Sequence, residues 1–117
     1  MKKAFQITMK DKSVITIDAI VKTIHETTIK VHELLEKGNP PLFLSVEHEQ
    51  LNTLLELSKV TPFVLLYFDK DNFFTGAAYS LNTSQSPFSI QTQSKKTLLL
   101  PFPLNFTLNE VYKLESI

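Results

Sequence analysis

The sequence predicts an α+β domain, a mixed α/β arrangement of one mixed sheet with helices packed on it, in the order β-β-α-β-α-β-β, a loop, then β-α. Three observations carry this prediction. Residues 4–9, "AFQITM", set Phe5, Ile7 and Met9 at a period of two, as in a half-buried strand. From Ile17 the apolar positions Ile20, Val21, Ile24, Thr28, Val31, Leu34 and Leu35 recur at steps of three and four, which is helical spacing. The run "FVLLYF", residues 63–68, is continuously apolar and bracketed by turn residues, as a central strand covered on both faces would be.

The remaining elements follow in order. "KDKS" separates "AFQITM" from "SVITI", so the chain opens with a hairpin. Asp18 is a good N-cap for the first helix, and "KGNPP" ends it, with Gly38 able to take a left-handed conformation and the prolines unable to continue. "LFLSV" reads as a short strand. Ser45 then caps a second helix, with Glu47 and Glu49 in its first turn and Leu51, Leu54, Leu55 and Ser58 as its apolar stripe. After "FVLLYF", the stretch "FFTGAAYSL" runs back beside it, and Gly76, Ala77 and Ala78 leave room for another element to approach. Residues 82–97 are polar and predict a mobile loop. In "LLLPFPLNF", Pro101 and Pro103 restrict the chain to an edge strand or polyproline geometry. "TLNE" matches a capping box, Thr107 with Glu110, opening a closing helix through Val111, Tyr112 and Leu114.

Composition bounds the chemistry. With 117 residues, 43% hydrophobic and 21% charged, the chain predicts one globular domain, 1–117. Twelve basic residues balance twelve acidic ones, so no net field recruits a partner. Every basic residue is lysine; the lack of arginine argues against base readout in DNA, and nucleic acid is a disfavoured partner. The lysine-only set fits an AT-rich bacterial or phage genome. There is no cysteine, which excludes disulfides, thiolate nucleophiles and zinc-cysteine sites. The longest apolar run falls far short of a membrane helix of about 20 residues, and "MKKAFQITMKDKS" lacks a signal-peptide core. A cytoplasmic protein is the expectation.

Candidate chemistry is sparse. Asp69, Asp71 and Asn72, in "DKDN", have the order that starts a calcium loop, but Phe74 and Ser80 stand where that loop needs glycine and glutamate. Asp69 and Asp71 remain conceivable magnesium ligands; the same residues are what a hairpin turn needs. On the predicted helix His25 and His32 are seven apart, about 10.5 Å along the axis, too far to share a metal. His48 falls where α/β folds often hold ligands, and with Asp69 and Asp71 it forms the alternative catalytic set. Ser94, Lys95 and Lys96 could contact phosphate. With only Gly38 and Gly76 in the chain, no Walker or dinucleotide loop is possible.

The run "LFLSVEHEQLNTLLELSKVTPFVLLYF", read as strand, helix and strand, resembles the tail of the core in the PD-(D/E)xK nuclease superfamily. The resemblance covers under a quarter of the chain and implies at most a shared topology or an inactive relative, because Asp18 with Lys22 and Glu110 with Lys113 have the wrong spacing for the acid-x-lysine pair. A divalent-metal hydrolase or nuclease is therefore the alternative. The principal reading is a small non-enzymatic protein-interaction domain with no cofactor. Its expected contact residues are Phe102, Phe106 and Tyr112, and its partner is another protein or a second copy joined at a sheet edge.

Overall fold

The structure, a computed structural model, describes residues 2–31, 41–47, 54–57, 63–80, 88–91, 95–101 and 104–117. Its strands are β1 (Lys2–Met9), β2 (Val14–Ile24), β3 (Thr28–Lys30), β4 (Leu42–Val46), β5 (Leu54–Leu57), β6 (Phe63–Phe68), β7 (Phe74–Ser80), β8 (Phe88–Gln91), β9 (Lys96–Pro101) and β10 (Val111–Ser116). Seven form one sheet in the order β10-β1-β2-β4-β9-β6-β7, and β3, β5 and β8 form a second sheet. The large sheet is mixed, because β2 and β4 run parallel while its other neighbours are antiparallel. Its two edges meet again at an antiparallel bridge between Phe73 and Lys113, so the sheet forms a nearly closed barrel.

No α-helix occurs among the described residues, which corrects the α+β expectation. The first predicted helix is β2 followed by β3. Eight of the eleven residues of β2 are Val, Ile or Thr, which favour extended backbone. This strand buries side chains on both faces, Ile20 and Ile24 on one and Ala19 on the other, so its apolar spacing imitates steps of three and four. Asp18 caps nothing; it is exposed within β2, opposite Ala4. In the second predicted helix Leu54–Leu57 is β5, paired with β3 and β8. His48, Glu49 and Leu51 lie outside the described residues, as do His32 and Gly38. The nuclease-like strand-helix-strand reading fails with that helix: β9 lies between β4 and β6.

The C-terminal prediction also changes. Leu108–Glu110 is one 3-10 turn, the Thr107 side chain makes no capping bond, and β10 follows at once. Val111 and Leu114 are both buried although three residues apart, because the β1–β10 register shifts between Thr8 and Met9. A β-bulge thus reproduces helical spacing within a strand. β9 is interior, not an edge: Pro101 ends it, where the missing N–H costs least. Phe88–Gln91, inside the segment expected to be a loop, is β8.

The core has two layers, one on each face of the large sheet. Ile7, Phe5, Phe43, Val64, Leu66, Phe68, Leu98 and Leu114 fill the barrel interior. Ile20, Leu42, Leu44, Leu65 and Leu99 point outward and are covered by Ile29, Val31 and Leu55 around the small sheet. β6 therefore needs an apolar side chain at every position, Phe63, Leu65 and Tyr67 outward and Val64, Leu66 and Phe68 inward. Each such burial contributes about 1.5–3 kcal/mol. The sequence expectation that Gly76 leaves room for a closely approaching element is not met: among the described residues nothing lies within 4 Å of where its Cβ would be.

Two hydroxyls interrupt the outer layer. Tyr67 and Thr97 are cross-strand partners, both buried, and among the described residues neither Tyr67 Oη nor Thr97 Oγ1 has a hydrogen-bond partner. Burial raises the Tyr67 phenol above its ordinary value near 10. Thr97→Val keeps the shape and removes an unsatisfied hydroxyl, so urea unfolding should show a gain of about 1 kcal/mol. For Tyr67 the raised folded-state pKa gives stability that is complete below pH 10 and lost as pH rises further. Tyr67→Phe should flatten that alkaline loss in unfolding curves measured between neutral pH and pH 11, a range set by that phenol value near 10.

Candidate functional site

The "DKDN" segment is a turn with a structural task. Asp69 N donates to the Phe73 carbonyl at 2.9 Å and Asn72 N donates to the Asp69 carbonyl at 2.9 Å. The Asp69 carboxylate accepts from the backbone N–H of Asp71 and of Phe73, each at 2.9 Å. This is an Asx arrangement, in which the side chain satisfies the turn it starts. Asn72 has φ 70°, a left-handed conformation that asparagine tolerates better than most residues. Asp71 is exposed on the turn. Among the described residues no three His, Asp or Glu side chains gather as metal ligands. Whether His48 approaches this turn lies outside them.

The same turn closes the barrel. The Leu114 N–H donates to the Asn72 carbonyl at 2.9 Å, beside the Phe73–Lys113 bridge. On the outer surface the rings of Phe73 and Tyr112 meet edge to face, centroids 5.3 Å apart, and Lys113 Nζ sits 5.5 Å from the Phe73 centroid. Tyr112 is 49% exposed and Phe73 36%. Aromatic pairs of this geometry contribute about 0.5–1.5 kcal/mol beyond burial.

Inside that closure lies a cavity of about 270 Å³ at one mouth of the barrel. Its floor is Phe5, Val21, Phe43 and Leu114; its rim is Lys3, Thr23, Ser45, Asn72, Lys96 and Ser116. The strand register explains this layering. Thr23 pairs with Ser45 and Ser45 with Lys96, forming a polar rung; one step inward, Val21 pairs with Phe43 and Phe43 with Leu98. Lys96 Nζ donates to Asn72 Oδ1 at 2.5 Å and to the Lys70 carbonyl at 3.1 Å. Those two bonds tie the ammonium to the turn. Lys96 was visible in sequence only as part of a basic pair; Lys3, Thr23 and Ser45 carried no signal, since the rim assembles from five separate strands and a turn.

The opposite mouth is treated differently. A more apolar cavity of about 330 Å³ there is lined by Ile17, Pro41, Leu100, Leu104 and Phe106, among others. Phe106 is half-buried and, with Leu104 and Leu108, packs against the barrel interior. Of the three contact residues expected from sequence, Tyr112 is well exposed, Phe106 is part of this plug, and Phe102 lies outside the described residues.

No protein-family model matches the chain, and no curated protein matches it. A crystal structure of a candidate transcription regulator from Sinorhizobium meliloti 1021 is similar to it, with a TM-score of 0.61 and 10% identity over 99% of this chain and 94% of that one. At that identity the likeness shows the shared fold. Among the described residues no helix is long and apolar enough to cross a membrane.

The turn's role predicts a pair of outcomes. Asp69→Ala removes the acceptor for two backbone N–H groups and should cost about 1–3 kcal/mol in urea unfolding. Asp69→Asn keeps a side-chain oxygen in place and should cost less than half as much.

Proposed function

We propose that the chain is a small non-enzymatic protein-interaction domain, one globular unit over 1–117, that makes its contact at the seam where β10 meets β7. One observation carries this reading. Among the described residues the seam is joined by a single bridge at Phe73 and Lys113, and β7 beyond Phe74 has β6 as its one strand partner. The half-exposed Phe73 and Tyr112 rings stand beside it. A strand edge offers unmatched N–H and C=O groups to an incoming strand, and flanking aromatic rings supply apolar contact. The simplest partner is a second copy of the chain, paired edge to edge. The similar solved structure is described as a candidate transcription regulator, and a chain without arginine is poorly equipped to read bases.

Tyr112→Lys tests the seam, because a lysine on an edge strand discourages pairing. Sedimentation equilibrium should show a concentration-dependent dimer for the native chain and a monomer for Tyr112→Lys, with stability lowered by about 1 kcal/mol or less. A native chain that stays monomeric to millimolar concentration, or a variant that associates equally well, would contradict the proposal.

A further inference from the structure

We propose that the barrel mouth beside the Asp69–Phe73 turn binds a small amphipathic carboxylate, its apolar body on the floor and its charge at the rim. This site is separate from the seam surface, and neither reading depends on the other.

A barrel of about seven or eight strands has an interior just wide enough for side chains to fill it. Here they do so up to the level of Val21, Phe43 and Leu98, and the space left over lies above them at the mouth. Its floor is aromatic and aliphatic, which favours an apolar group. Its rim carries two ammonium groups, Lys3 and Lys96, and the hydroxyls of Thr23, Ser45 and Ser116, while none of the described lining residues is acidic. A charge-assisted bond from lysine to a carboxylate is about twice as strong as a neutral one. Lys96 is already oriented by Asn72 and the Lys70 carbonyl, so binding does not have to freeze a free lysine chain. The volume of about 270 Å³ lies at the small end of ligand pockets, which run from about 300 Å³ upward. That admits one aromatic ring or short alkyl chain with its carboxylate. A bare inorganic anion would leave the apolar floor uncovered; a neutral isostere would gain no charge-assisted bond from the rim ammonium groups.

The test is a heteronuclear NMR titration of the full chain with sodium benzoate, benzyl alcohol and inorganic phosphate in parallel. Benzoate should give saturable shifts at the amides of Lys3, Thr23, Ser45, Asn72 and Lys96, weakening as salt is added. Benzyl alcohol and phosphate should each bind about tenfold more weakly or worse, and Lys96→Gln should weaken benzoate by about tenfold. Lys3→Gln is the second variant, since it leaves the turn untouched; it should weaken benzoate as well. The proposal is overturned if benzoate gives no saturable shifts at these residues, if benzyl alcohol or phosphate binds as tightly, or if both lysine variants bind benzoate as the native chain does.

Discussion

The hydrogen bond from the Leu114 amide to the Asn72 carbonyl, with the Phe73–Lys113 bridge beside it, turns an open seven-stranded sheet into a nearly closed barrel. An open sheet would leave Phe5, Ile7, Val64, Leu66 and Leu114 on a face with no opposing layer. Closure makes the sheet its own second layer, which is how β-barrels remove both the exposed face and most of the exposed edge. The contact depends on a turn of unusual local demands: Asp69 must accept two N–H groups and Asn72 must sit at positive φ so that its carbonyl faces β10. Both features described at the functional level inherit their geometry from it. The seam rings flank the bridge on the outside, and Asn72 holds Lys96 at the mouth on the inside.

The other face of the sheet has a different solution. β4, β6 and β9 present large apolar side chains outward as well as inward, and the three-stranded sheet of β3, β5 and β8 lies over them. A central strand in this arrangement has no polar side. "FVLLYF" satisfies that demand at every residue, and the Tyr67 and Thr97 hydroxyls are the two places where the outer layer departs from it.

Much of this was legible in the sequence where one face dominated. The opening hairpin follows from Phe5, Ile7 and Met9, and the two-sided burial of β6 from its unbroken apolar run. The "DKDN" stretch read correctly as a turn, although its role in closure was invisible because its partner, Leu114, is more than forty residues away. The misread helices share a physical cause. β2 is buried on both faces and β10 contains a bulge, so each shows apolar residues three or four apart without being helical. In β2 the better signal was its β-branched content, eight residues of eleven. The mouth could not be read from the sequence, because a rim of Lys3, Thr23, Ser45, Asn72, Lys96 and Ser116 forms only once strand order and register are known.

Closure through the turn is the claim on which the mouth, the seam and the inner core all rest. Antiparallel bridge partners flanked by their hydrogen bonds bring their Hα atoms into close contact, so nuclear Overhauser spectroscopy addresses it directly. A strong Hα–Hα cross-peak between Phe73 and Lys113, together with slow solvent exchange of the Leu114 amide, is the predicted result. No such cross-peak, with the Leu114 amide exchanging as freely as an open edge strand, would contradict the closed barrel.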